Sequence, residues 1–230
     1  MSGTSVGDSI ASIMHHLESD EYRERMERFA AEERERIARA TPSAEEVRLG
    51  RCRELVARGV PAKDVARVVD DALDDTPAMG HVRAFLESSG VSLVLSGPRG
   101  CGKTVAIAWA AAQHVNPVVE WDAVGAGRFV DVARLARVSR YSDEAMAELE
   151  SAALLAIDDL GMEYCDVKGS FLATLDGLFN ARYAACRRTL IATNLPGAQF
   201  RERYGERIAD RIRESGRFVE LRGPSLRGGR

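Results

Sequence analysis

The sequence predicts an α/β protein whose parallel five-stranded sheet is covered by helices on both faces and preceded by a helical N-terminal extension. From residue 90 onward, short apolar segments alternate with helical patterns, which is typical of parallel sheets because each crossover connection needs a helix. The five predicted strands are 91–96, 117–121, 153–157, 189–193 and 218–222. The predicted helices of this part are 102–113, 129–140, 143–151, 171–185 and 200–213.

The composition agrees with a globular domain. The chain has 230 residues, of which 45% are hydrophobic and 29% charged, and this balance supports a buried core. It has no apolar run as long as a membrane span and no basic-then-apolar secretory signal, so we expect a cytoplasmic protein without membrane contact. The net charge of −3 argues against a protein that coats DNA through general positive charge.

Two parts of different character are predicted along the chain. They are a helical partner-binding extension over 1–40 and a main domain over 41–230, with lead-in helices at 43–88 and the core at 90–227. The stretch 18–39 is rich in charged residues and has few apolar ones, and such a helix is either solvated or binds a partner protein. Ser43 followed by Glu46 predicts a capping box at the start of the first lead-in helix.

A phosphate-binding motif follows the first strand of the core. Residues 97–104 fit the pattern G-x-x-x-x-G-K-[ST] between a strand and a helix. Glycines let backbone N–H groups turn towards phosphate oxygens, and the following helix directs the positive end of its dipole at the same anion. We expect Lys103 to reach the β- and γ-phosphates of ATP and the Thr104 hydroxyl to ligate Mg²⁺. The predicted nucleotide-binding residues of this loop are Gly97, Pro98, Arg99, Gly100, Cys101, Gly102, Lys103 and Thr104.

Polar residues also end two later strands. Residues 154–159 read Leu-Leu-Ala-Ile-Asp-Asp, which delivers two carboxylates to the sheet edge where α/β folds bind ligands. We expect Asp158 to hold Mg²⁺ and Asp159 to orient and activate the attacking water. Asn194 ends the next strand, which we place beside the phosphate-loop strand. It either hydrogen-bonds the water or the γ-phosphate, or it caps the following turn.

Arginines are concentrated near the C-terminus. Arg207 and Arg211 are four residues apart and therefore share one face of a helix. Phosphoryl transfer needs positive charge at the γ-phosphate, which these side chains could supply. A solvated helix with Glu–Arg pairs explains the same pattern, and the residues alone leave both interpretations open.

The order of these motifs resembles that of the AAA+ ATPases of the DnaC/IstB group, which are replicative helicase loaders and helper ATPases of certain insertion sequences. The resemblance covers roughly residues 47–227 and implies a P-loop fold of the AAA+ type. Beside the phosphate loop, the segments that carry it are 157–161 (Ile-Asp-Asp-Leu-Gly), 180–183 (Asn-Ala-Arg-Tyr), 192–195 (Ala-Thr-Asn-Leu), 205–207 (Gly-Glu-Arg), 210–211 (Asp-Arg) and 223–227 (Gly-Pro-Ser-Leu-Arg).

The resemblance also implies roles for individual residues. Asn194 matches the first sensor, Arg227 the second sensor, and Arg211 the arginine finger that acts on ATP held by a neighbouring subunit in a homo-oligomeric ring or spiral. One departure is Asp159, where most AAA+ enzymes carry glutamate. Contacts with single-stranded DNA would fall on Arg134, Arg137, Arg140 and Lys168.

Three functions follow from this reasoning. The first is an ATP- and Mg²⁺-dependent loader that places a hexameric replicative helicase on single-stranded DNA, with residues 1–40 gripping the helicase. The second is an IstB-like ATPase that binds DNA and recruits a transposase. The third is a nucleotide switch that binds ATP and hydrolyses it slowly.

Overall fold

The computed structural model describes residues 20–40, 42–70, 72–113, 127–163, 170–223 and 225–226. Two compact units divide the chain, Met1–Gly50 and Arg51–Arg230. Some predictions of the sequence analysis lie outside the described residues, namely residues 1–19 of the extension, the strand 117–121, Lys168 and Arg227.

The N-terminal unit contains helix α1, Asp20–Ala40, and the first half of helix α2, Ala44–Ala57. The predicted capping box begins α2 as expected. The Glu46 carboxylate accepts the Ser43 backbone N–H at 2.8 Å, and the Glu46 N–H donates to the Ser43 hydroxyl at 3.2 Å. These hydrogen bonds lower the pKa of Glu46. The prediction of a capping box is therefore confirmed.

The second unit is built on a five-stranded sheet in which every pair of neighbouring strands is parallel. In space the strands follow the order β2-β3-β4-β1-β5. This confirms the predicted parallel sheet and places β4 beside the phosphate-loop strand β1, as expected. The strands are β1 Ser92–Ser96, β2 Gly127–Asp131, β3 Leu154–Leu160, β4 Arg188–Thr193 and β5 Gly216–Glu220.

Helices cover both faces of the sheet. Because successive side chains of a strand point to opposite faces, Leu93 and Leu95 of β1 join one apolar cluster and Val94 joins another. Among the described residues, no helix is long and apolar enough to span a membrane. The helices after α2 are α3 Ala62–Val69, α4 Pro77–Glu87, α5 Lys103–Gln113, α6 Val132–Tyr141, α7 Asp143–Ser151, α8 Ser170–Ala184, α9 Gly197–Tyr204 and α10 Glu206–Ser215.

The structure corrects the start of the predicted helix 129–140. Residues 129–131 belong to strand β2, and the helix begins at Val132. Phe129 donates its backbone N–H to the Arg58 carbonyl at 2.9 Å, and β2 pairs with β3 along its length. This pairing overrides local helix preference, since strand propensity depends strongly on tertiary context.

A second correction concerns the C-terminal part of the domain. The predicted helix 200–213 is two helices, α9 and α10, which are separated at Gly205. Gly205 has a φ of +84°, a conformation that glycine adopts without strain and that interrupts the helix. Strand β5 also begins two residues before the predicted 218–222, because Gly216 already pairs with Ser92 of β1.

Candidate nucleotide-binding site

A cleft of about 680 Å³ opens at the carboxyl edge of the sheet. Its volume falls within the usual range of small-molecule sites. The phosphate loop lines it together with the ends of β3 and β4. The predicted site residues Arg99, Lys103, Asp158, Asp159 and Asn194 all line this cleft.

The phosphate loop owes its shape to glycines. Gly100 and Gly102 have φ values of +87° and +88°, in the left-handed region that favours glycine. The neighbouring side chains also leave no room for a larger residue. A Cβ on Gly100 would collide with Ser225, and one on Gly102 would be in tight contact with Thr76. The Leu226 N–H also donates to the Gly100 carbonyl at 3.0 Å, so residues near the C-terminus lie directly on this loop.

Lys103 begins α5 and is only 7% exposed. Its ammonium donates to the Gly97 carbonyl at 2.7 Å, the Pro98 carbonyl at 2.9 Å and the Asn194 side-chain oxygen at 3.1 Å. It also lies 3.6 Å from the Cys101 sulfur. These partners are neutral, and among the described residues no carboxylate neutralises this buried cation by direct contact. Such a cation can exchange its carbonyl partners for phosphate oxygens.

Thr104 and Asp158 meet although 54 positions separate them in the sequence. The Thr104 hydroxyl donates to the Asp158 carboxylate at 3.2 Å. Burial and, to a smaller extent, the charge of Asp159 raise the pKa of Asp158 to about 6, although the Thr104 hydrogen bond opposes both effects. Hydroxyl and carboxylate oxygens are the hard ligands that Mg²⁺ prefers, and a buried carboxylate beside a second carboxylate gains from a bound cation. These residues therefore fit a Mg²⁺ ion.

Asp159 stands at an irregularity of β3. The pairing register between β3 and β4 shifts between Ile157 and Leu160, and Asp159 has a φ of +53°. Asp159 is exposed and lines the cleft, whereas Asp158 is buried. Aspartate tolerates the left-handed conformation better than longer residues do, which gives a physical reason for the short acid at this position.

Arg211 lies apart from the other site residues. It is absent from the cleft lining of the described chain. Its guanidinium donates to Asp176 at 3.1 Å and to the Asn180 side-chain oxygen at 2.5 Å, both on α8, and lies 5.8 Å from the centre of the Tyr183 ring. Arg207 contacts the other oxygen of Asp176 at 3.2 Å. Both arginines therefore share one helix face, as predicted.

The predicted DNA-contacting arginines lie on a third surface. Arg134, Arg137 and Arg140 are all exposed on α6. Tyr141 ends the same helix and is 84% exposed, so a large aromatic ring stands beside these positive charges.

Sequence reasoning missed the lead-in side of the cleft. Pro61 and Lys63 reach it from α3 and the turn before it, and Thr76 and Met79 from the start of α4. The available signal was Thr76-Pro77, a side-chain cap followed by proline in the first turn, since the Met79 N–H donates to the Thr76 hydroxyl. That signal predicts the helix start but not its position beside the phosphate loop.

Comparisons of structure find solved proteins with a similar fold. The chain is similar to DnaI, with 20% identity and a TM-score of 0.52 over 66% of this chain and 89% of that one. It is similar to a Streptococcus pyogenes serotype M3 protein described as a primosome component, with 17% identity and a TM-score of 0.51 over 75% and 97%.

A third similar structure is the replication initiator DnaA bound to AMPPCP and single-stranded DNA. The identity is 17% and the TM-score 0.52, over 66% of this chain and 48% of that one, so the match spans about half of DnaA. No protein-family model matches the sequence, and no curated protein matches it at a significant level.

Proposed function

We propose that this protein binds and hydrolyses ATP with Mg²⁺ and uses this cycle to place a hexameric replicative helicase on single-stranded DNA. The observation that carries the proposal is the convergence of Lys103, Thr104, Asp158 and Asn194 within hydrogen-bonding distance at one edge of the sheet. Lys103 and Thr104 begin α5, Asp158 lies in β3 and Asn194 follows β4, and each has the chemistry that a nucleoside triphosphate requires.

Phosphate binding falls to the loop 97–104. Its backbone N–H groups and the N-terminus of α5 bind phosphate oxygens, and the Lys103 ammonium leaves the Gly97 and Pro98 carbonyls to contact the β- and γ-phosphates. Asn194 already contacts Lys103 at 3.1 Å. It therefore sits where an amide could orient the γ-phosphate or the attacking water.

Hydrolysis falls to the acids at the end of β3. Thr104 and Asp158 would hold Mg²⁺, which supplies positive charge to the phosphate oxygens when bound. The Asp159 carboxylate orients the water and accepts its proton as the oxygen attacks the γ-phosphorus. The bond to the β–γ bridging oxygen breaks, and ADP and phosphate leave.

A second copy of the chain completes the site. Phosphoryl transfer gains from a cation at the γ-phosphate in addition to Lys103, and Arg211 has the chemistry for this role. Its guanidinium contacts Asp176 and Asn180 of α8, and Arg211 is not among the described residues that line the cleft of its own chain. We therefore assign Arg211 to the ATP of a neighbouring subunit in a ring or spiral, and Arg227 to ATP contact as a second sensor.

The replication role is supported by two surfaces of the chain. Helix α1 exposes Met26 and Phe29, 45% and 61% accessible, within a strongly charged helix, as expected of a partner-binding face. Arg134, Arg137 and Arg140 could follow a DNA backbone while Tyr141 stacks on a base. The structural similarity to DnaI and to DnaA favours replication over the alternative of a transposase helper.

The test compares wild-type protein with Asp159→Asn in ATP binding, ATP hydrolysis and helicase loading. The amide cannot accept the proton, so we expect unchanged ATP affinity and hydrolysis slower by roughly 10²- to 10⁴-fold. Loading is measured as strand displacement by the hexameric helicase on a circular single strand coated with its binding protein. Wild type should raise displacement, and Lys103→Ala should not.

Three results separate the rival functions. Wild-type hydrolysis as slow as that of Asp159→Asn, with single-stranded DNA present, would favour the nucleotide switch. ATP hydrolysis without any effect on displacement would contradict the loader. Binding of a transposase instead of the helicase would favour the transposition helper.

A further inference from the structure

A buried carboxylate ties the turn after β3 to helix α9. The side chain of Glu163 is 2% exposed. Its Oε1 accepts Arg203 Nε at 2.8 Å and the Tyr204 hydroxyl at 2.7 Å, and its Oε2 accepts the Gly161 backbone N–H at 2.8 Å. Arg203 Nη2 also donates to the Glu163 carbonyl at 2.8 Å. One side chain therefore fixes two elements that are 40 residues apart in the sequence.

The turn held in this way is the one that presents Asp159. The Met162 N–H donates to the Asp159 carbonyl at 3.0 Å, and the Leu160 carbonyl accepts the Thr193 hydroxyl at 2.6 Å. Asp159 has a φ of +53° and Gly161 a φ of +109°. A non-glycine residue in this conformation stays there only when its surroundings hold it, and such positions cluster at functional sites. Within this turn, the Gly161 N–H donates to the buried, charged carboxylate of Glu163.

We propose that Glu163 is a positioning residue that holds Asp159 in place for hydrolysis and that Arg203 holds Glu163. This inference rests on the proposed ATPase function. The same contacts connect the cleft of a subunit to α9, and α9 leads through Gly205 into α10, which carries Arg211.

The bonding of the cluster suits this role. Three N–H or O–H donors satisfy the two carboxylate oxygens, so the buried charge is fully hydrogen-bonded. Burial and the bond to Glu163 raise the pKa of the Tyr204 phenol, which keeps it a donor. If either Glu163 oxygen is replaced by an N–H donor, that donor faces the N–H or O–H group that the oxygen accepted, and we expect the turn to move to relieve this contact.

Glu163→Gln is the decisive variant because it keeps the shape of the side chain. Glutamine has one acceptor oxygen, so its NH₂ group faces either the Gly161 N–H or the donors of α9. We expect ATP affinity within about twofold of wild type and single-turnover hydrolysis of bound ATP at least about tenfold slower, since small displacements of a catalytic group have large effects on rate. Rate per bound ATP excludes unfolded protein from the measurement.

Tyr204→Phe is the matched control. It removes one donor from the same carboxylate and leaves both the Gly161 bond and the Arg203 ion pair intact. A merely structural cluster predicts that both variants lower the melting temperature and that neither changes the rate per bound ATP. The positioning role predicts a rate loss in Glu163→Gln and a rate within about twofold of wild type in Tyr204→Phe.

The outcomes separate this inference from the proposed function. If wild type hydrolyses ATP and Asp159→Asn does not, a Glu163→Gln rate equal to wild type overturns the positioning role alone. If wild type shows no hydrolysis, the ATPase function fails and the positioning role fails with it. If Glu163→Gln binds no ATP because it does not fold, Arg203→Met decides. That variant keeps the Glu163 carboxylate but removes the ion pair that holds it, so we expect a slower rate per bound ATP. An unchanged rate would overturn the role.

Discussion

The phosphate loop and the arginine helix α10 place positive charge in two different environments. Lys103 is 7% exposed and donates to two carbonyl oxygens and an amide oxygen, and within the described part of the chain no carboxylate contacts it directly. Arg211 has a side chain that is 19% exposed and pairs with the carboxylate of Asp176. The lysine is therefore available to a phosphate that enters the cleft of its own chain, whereas the arginine is neutralised and oriented elsewhere. Under the proposed function, one chain binds the nucleotide and a second chain supplies the arginine for hydrolysis.

The largest expected effect comes from removing the cation of the loop. Lys103→Ala should abolish measurable ATP binding, because the phosphates lose the buried ammonium and the carbonyls of the loop remain turned towards the site. Lys63→Ala is the control, since Lys63 also lines the cleft but is exposed at its mouth. We expect that variant to change affinity only a few-fold, as is typical of an exposed charge. Equal losses in a titration with fluorescent ATP would contradict this distinction.

A smaller effect concerns the Mg²⁺ ligand and has a defined pH dependence. Since folding raises the pKa of Asp158 from 3.8 to about 6, the ionised form disfavours folding, and this penalty grows as the pH rises from 3.8 to about 6. Asp158→Asn does not ionise. Without nucleotide it should therefore be more stable than wild type at pH 7.5 by up to about 3 kcal/mol, at 1.36 kcal/mol for each pKa unit. The gain should vanish near pH 4.

Urea unfolding of the two proteins across this pH range measures that difference. Saturating Mg²⁺ and ATP should reverse the order at pH 7.5, because the carboxylate then has a cation to bind and the amide does not. Parallel stability profiles for wild type and Asp158→Asn would show that Asp158 titrates normally and would contradict its assignment as a buried metal ligand.

The smallest effect on ATP hydrolysis is expected in the N-terminal unit. Replacing Met26 and Phe29 of α1 together by serine should weaken helicase binding at least about tenfold, since exposed apolar anchors contribute most to such contacts. Hydrolysis without the helicase should stay within about twofold of wild type. Glu24→Ala, on the opposite side of α1, is the control. Normal helicase binding by the double variant, measured by analytical ultracentrifugation, would indicate that α1 is a solvated helix.

The sequence analysis predicted the cleft well and the arginine side poorly, for a physical reason. Glycine requirements and the lysine of residues 97–104 are local, and the acids 158 and 159 follow because parallel strands end at one edge of the sheet. The partners of Arg211 depend on how α8 and α10 pack, which no local pattern determines. The bond between Glu163 and Arg203 depends on packing in the same way. Strand β2 was predicted partly as helix because its pairing with β3 outweighs the preference of its own residues.

Arg211 of α10 is either an arginine finger for a neighbouring subunit or an ordinary ion-paired arginine. The structure pairs it with its own chain, which also agrees with an ordinary surface arginine. An ordinary pair of this kind predicts at most about 1 kcal/mol of stability and normal ATP hydrolysis. An arginine finger predicts unchanged ATP affinity and hydrolysis slower by on the order of a thousandfold in Arg211→Ala. Asp176→Asn removes the ion pair with Arg211 but keeps the arginine, so it is the control for loss of the ion pair alone.

The most direct measurement mixes two inactive proteins. Arg211→Ala retains the complete cleft, and Lys103→Ala retains the arginine that a neighbouring cleft needs. If the site is shared between subunits, the mixture should regain part of the wild-type ATP hydrolysis at concentrations where wild type assembles, although each variant alone is inactive. Absence of any rescue from two folded, assembling variants would contradict a site completed by a second copy of the chain.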